Sequence, residues 1–188
     1  MIEAIRKRRS VRAFLKKAVE EEKLKEILRS AMFAPTSWGT KAWEFIIVKE
    51  PDTKKMLSEA TAHAHFVKDA PLVIVICYNN KVGRRFREDS SICAEHIHLE
   101  AVNQGLASCF VQVADAGDPP GSAEPRIKEL LGIPEGFRVQ CMMPIGYAKR
   151  ELKEHRDSEF DNSKIRKNSE LKNPNHERHL KIPERAVG

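Results

Sequence analysis

The sequence predicts a sandwich of one β-sheet between helices, α+β or α/β. β-branched apolar runs of strand length alternate with segments of helical period, and Gly and Pro punctuate the junctions. A chain of 188 residues suffices for one domain with its own core, or for a two-layer domain that completes its core against a second copy.

The chain opens on the apolar lead-in "MIEAI" and the run "RKRRSVRAF", which packs Arg6, Lys7, Arg8, Arg9 and Arg12 in front of Phe14. Such a run can be an arm for nucleic acid, a solvated helix end or half of a phosphate pocket. In "VEEEKLKEILRSAMFA", Leu24, Ile27, Leu28, Ala31 and Met32 recur at helical spacing behind acids that favour a helix start. Pro35 stops that helix, so "APTSWGTKAWE" is a loop, and "FIIVK" is a short strand. Asp52 is placed to cap the helix "TKKMLSEATAHA". "APLVIVICY" then reads as a strand buried on both faces.

From Asp89 to Gln104, "DSSICAEHIHLEAVNQ" begins with capping residues and is apolar on several sides, as in a helix central to a core or a subunit interface. Gly105 supplies its left-handed stop. "LASCFVQV" is the next strand, "PGSAEPRIKELLGIP" a helix ended by Gly132 and Pro134, and "RVQCMMPIGY" a further buried strand. Residues 1–150 thus form one domain. Residues 151–188 are a charged extension with scattered apolar anchors, too few for a core of their own, which wraps over a partner surface or is partly disordered.

Composition narrows the chemistry. Lys and Arg number 33 against 27 Asp and Glu, a mixed surface with net charge +6 that does not favour nucleic acid. Cys77, Cys93, Cys109 and Cys141 form no CxxC pair and lie in apolar stretches, as buried reduced thiols of a cytoplasmic protein do. The longest apolar run suits a strand, not a membrane span, and the N-terminal segment has no secretory pattern. Neither a GxSxG elbow nor a GxxxxGK[ST] loop is present. His63/His65 and His96/His98 sit two apart, a spacing that points helical side chains away from each other, so no metal site is expected.

Four blocks remain: "RRSVRAF", "APTSWGTKAWEFIIV", "DSSICAEHIHLEAVNQGLASCFVQV" and "LLGIPEGFRVQCMMPIGYA". Their order and spacing over residues 1 to about 150 resemble the FMN-dependent nitroreductase family. The resemblance implies an α+β three-layer sandwich with a mainly antiparallel sheet, built as an interlocked homodimer with FMN in two interface clefts. It also implies roles. Arg8 and Ser10 would meet the FMN phosphate, helped by Arg9, because a guanidinium fork suits phosphate oxygens. Arg12 matches the cation beside the flavin edge where charge gathers on reduction.

Pro35, Thr36, Ser37 and Trp38 match the family loop that reaches FMN from the partner subunit. Gly39 and Lys41 stand where relatives commonly have Asn and Gln, and Lys41 would bring a second cation. Phe110 and Val111 would underlie the ring, with Gln112 and Val113 near its N5. Lys149, Arg150, Lys153 and Arg156 are the late basic candidates for the phosphate, Arg156 preferred. The implied activity is ping-pong reduction of nitroaromatics, quinones or similar electron-poor acceptors, with NADH or NADPH as donor and no dedicated catalytic side chain. The alternatives are a non-catalytic flavin sensor and a same-fold dehalogenase or enoate-type reductase.

Overall fold

The computed structural model describes residues 1–165 and divides the chain into two units, Met1–His155 and Arg156–Gly188. The first holds helices α1 (Glu3–Lys7), α2 (Glu21–Met32), α3 (Pro51–Ser58), α4 (Phe86–Asn103) and α5 (Ala123–Leu131). Its strands are β1 (Trp43–Val48), β2 (Leu72–Asn79), β3 (Ala107–Ser108), β4 (Val111–Gln112) and β5 (Phe137–Gly146). The second unit shows two short 3₁₀ turns, Asp157–Glu159 and Asn162–Lys164, the latter capped where the Ser163 N–H donates to Asp161.

The sheet runs β1-β2-β5-β3, with β4 also on β5, and every pairing is antiparallel. That settles the open choice in favour of α+β. Strand β2 builds the layers. Ile74, Ile76 and Tyr78 face a core shared with Leu24 and Ile27 of α2 and Ile97 of α4. Val73, Val75 and Cys77 face a second core shared with Leu57 of α3 and Ile127 of α5. A strand alternates its side chains, so one apolar run supplies both cores and needs a helix layer on each face.

Three elements depart from the sequence reading. Helix α3 starts at Pro51 and stops at Ser58, and Asp52 sits in its first turn without a cap bond. The chain then turns through Ala60 and Ala64 into a 3₁₀ stretch, His65–Asp69, keeping Ala60, Ala64 and Val67 on the second core. Helix α4 starts at Phe86, so Asp89 lies inside its first turn instead of capping it. The strand expected over "LASCFVQV" is broken into β3 and β4. The register that pairs Ser108 with Ile145 and Val111 with Met142 leaves the interruption opposite Pro144, which has no N–H to donate.

Candidate functional site

The N-terminal basic run becomes part of the sheet. After α1 the chain extends, Ser10 makes a parallel bridge to Ser108, and the Val11 N–H donates to the Ser108 carbonyl at 3.0 Å. Val11 and Phe14 are buried with Ala70 and Ala107. The flanking Ser10 and Arg12 are therefore exposed, as alternation along an extended segment requires.

Arg12, Ser10 and Arg8 of this segment act on Cys109, in the break between β3 and β4. Arg8 is partly buried, its Nε 4.0 Å from Glu95 on α4. Beneath it His98 Nδ1 lies 2.6 Å from Ser108 Oγ. Burial first, then the Arg8 charge, lowers the His98 pKa to about 4. Burial raises the Cys109 thiol, opposed by Arg12, a hydrogen bond with Ser10, and Arg8. Arg9 points elsewhere and donates from Nε to the Lys153 carbonyl at 2.7 Å.

Arg12 stands at the mouth of a cleft of about 390 Å³ whose lining includes Phe66, Cys109, Phe110, Val111 and Gln112. Its guanidinium carbon is 5.9 Å from the Phe66 ring centroid. Gln112 is exposed and donates from Nε2 to the Ala114 carbonyl at 2.8 Å. Val113 points away: its side chain is fully buried in the second core and its N–H donates to the Gln140 carbonyl. His63 of the "HAH" pair also borders the cleft.

The loop residues Pro35, Thr36, Ser37, Trp38, Gly39 and Lys41 lie outside this cleft in their own chain. Trp38, Gly39 and Lys41 all adopt positive φ (57°, 65° and 46°), a costly conformation for the two non-glycine residues. Trp38 is 75% exposed and borders a hollow with Thr40, Val82 and Arg84, whereas Trp43 is buried and donates from Nε1 to the Ala31 carbonyl. The loop is held from inside. The Lys41 N–H donates to Thr36 Oγ1, and the Ser37 N–H donates to Asp89 at 3.0 Å. Arg156 lies in the second unit, where its N–H donates to Glu159.

Asp89, His98 and Ser108 were invisible as site residues from sequence alone. A lone acid in an apolar helix reads as a cap, and only the fold shows what its carboxylate reaches. All four cysteines are free and buried, and no metal-binding cluster of His, Cys, Asp or Glu exists among the described residues. Burial pushes the Cys77 thiol up to about 12. No helix of the described residues is long and apolar enough to cross a membrane.

An antiparallel sheet between two helix layers, with a basic N-terminal segment laid along an interrupted strand, defines a class of α+β proteins with a cleft at the sheet edge. Within it, the chain belongs to the Nitroreductase family, whose sequence profile matches residues 5–65 and 55–147. An FMN-dependent nitroreductase from Clostridium difficile superposes with TM-score 0.85 at 38% identity, covering 90% of this chain and 99% of that one. A protein of Archaeoglobus fulgidus with the provisional name NADH dehydrogenase/NAD(P)H nitroreductase is 31% identical over 148 residues, 77% of this chain and 83% of its own. Human iodotyrosine deiodinase 1 is 27% identical over 184 residues, 79% of this chain and 61% of its own.

Proposed function

We propose that the protein is an FMN-dependent NAD(P)H oxidoreductase that works as a homodimer and reduces nitroaromatics, quinones or similar electron-poor acceptors. The observation that carries this reading is that Arg12 lines a cleft with Cys109, Phe110 and Val111, while Ser10 and Arg8 act on Cys109 from the same segment. The donor set suits the cofactor: guanidinium and hydroxyl groups for a phosphate, an apolar floor for a planar ring, and a volume within the usual range for such ligands. The names of the similar proteins above support the same cofactor and donor.

When bound, FMN would supply acceptance of a hydride from NADH or NADPH and its delivery to the acceptor. The chain's own residues bind and orient. Arg8 and Ser10 would hold the phosphate, with Arg9 holding the neighbouring backbone at Lys153. Arg12 would set a positive field at the edge of a bound ring, and Phe66 lies beside its guanidinium. Gln112 offers a polar side chain at the cleft rim. Thr36, Ser37 and Trp38, outside their own cleft, serve a second chain's site, with Pro35, Gly39 and Lys41 shaping that loop. Val113 contributes by packing beneath the strand.

Anaerobic mixing of the FMN-loaded protein with NADH or NADPH tests the reading. Rapid bleaching of the flavin followed by reoxidation on adding a nitroaromatic or quinone is expected. A chain that takes up no FMN overturns it, and one that binds FMN without bleaching is a sensor. The likeness to iodotyrosine deiodinase favours reductive dehalogenation as the second reading, and halogenated phenols belong in the same acceptor screen.

A further inference from the structure

We propose that Asp89 is a positioning residue that holds the Pro35–Lys41 loop in the shape required at the FMN site of a second copy of the chain. The inference rests on the flavoprotein reading above. Asp89 is 2% exposed, and its carboxylate is fully engaged across two elements. Oδ1 accepts from the Ser37 N–H at 3.0 Å and the Ser37 hydroxyl at 3.3 Å, and Oδ2 accepts from the Tyr78 hydroxyl at 2.7 Å. Tyr78 is itself fixed, fully buried on β2 with its oxygen accepting the Arg85 N–H at 3.3 Å.

A buried carboxylate is costly unless donors surround it, and here three donors and the amino end of α4 do so. The loop in turn needs an anchor. Trp38 and Lys41 are held at positive φ, a conformation unfavourable for residues that carry a Cβ. A loop free of Asp89 would relax out of that conformation. The carboxylate thus converts a strained exposed loop into a fixed surface that presents Trp38 to solvent.

The loop does not serve its own chain's cleft. Asp89 sits in the first turn of α4, while His98, beside the Arg8 segment, lies further along the same helix by about 13 Å at 1.5 Å per residue. None of the loop residues borders the cleft that Arg12 lines among the described residues. In a two-fold dimer each loop meets the other chain's site, so Asp89 acts in trans.

The test uses full chains loaded with FMN. Asp89→Ala is expected to raise the FMN dissociation constant about tenfold. Asp89→Asn retains Oδ1 for Ser37 and lets the Tyr78 oxygen accept from the new amide, so it should stay within about threefold of the parent. Tyr78→Phe, a gentler change that removes one donor, should weaken binding by about threefold. A dimer mixing Arg8→Ala with Asp89→Ala chains should regain one tight site, because one of its two clefts pairs an intact Arg8 with an intact loop. Parental affinity in folded Asp89→Ala, or in Tyr78→Phe should Asp89→Ala not fold, overturns the proposal, as does a mixed dimer without a tight site. If the parent itself binds no FMN, the functional reading fails instead.

Discussion

Ser108 Oγ and His98 Nδ1 lie 2.6 Å apart, joining the strand that receives the basic N-terminal segment to the helix beneath it. The pair is buried, His98 at 3% exposure and Ser108 at 1%. A neutral imidazole suits this place, because a second cation beside Arg8 in a dry site would be repelled.

A pH dependence follows from it. The folded pKa of His98, about 4, lies below the ordinary histidine value of 6.5, so the unfolded chain takes up the proton first on acidification. Stability from this group is full above pH 6.5 and lost as pH falls towards 4, by at most about 3 kcal/mol. Denaturant titrations across that window, in the parent and in His98→Gln, should show the variant with a flatter acid limb. Equal slopes would mean that another group carries the loss.

Arg8→Ala should weaken FMN binding by about 1.5 to 3 kcal/mol, the usual worth of a charge-assisted hydrogen bond. Fluorescence titration of the apoprotein measures this. Unchanged affinity would place the phosphate elsewhere.

Arg12 has a different role, so its removal should leave a different signature. A cation at the ring edge acts more strongly on the flavin after it has gained charge, so Arg12→Ala should retain much of its FMN but show a lower midpoint potential. A contact worth about 2 kcal/mol corresponds to about 40 mV for a two-electron couple. Potentiometry on both proteins decides: an equal potential makes Arg12 structural, and complete loss of FMN assigns it to the phosphate grip.

Gly83 tests the packing under the loop. A Cβ added there would lie 2.0 Å from the Tyr78 hydroxyl and 2.7 Å from the Ala42 side chain. Gly83→Ala should therefore cost about 1 to 3 kcal/mol of stability. Thermal unfolding of the variant should show a lower Tm, and an unchanged Tm would mean that the turn yields without strain.

Much of the fold was legible because burial leaves a period in the sequence. Leu24, Ile27 and Ala31 mark the inner face of α2, and the continuous run through Val73 to Tyr78 marks a strand with a core on each side. The basic segment carried a recognisable spacing as well, and the fold brings Arg8, Ser10 and Arg12 near Cys109, with Arg12 lining the adjacent cleft. Position by position, the sequence was less reliable where a partner strand decides. The break at Cys109 and Phe110 comes from Pro144, distant in the chain and adjacent only across the register.

By itself, then, the sequence determined the layered α+β arrangement and marked the N-terminal basic segment as a candidate site, because hydrophobic period and local spacing are written in consecutive residues. Tertiary structure alone decided that the run "LASCFVQV" breaks into β3 and β4, that Val113 faces the core while Gln112 faces out, and that Asp89 holds Ser37 instead of capping its own helix. Those outcomes depend on hydrogen-bond partners brought together from distant parts of the chain, and no local pattern records which donor a buried acceptor will meet.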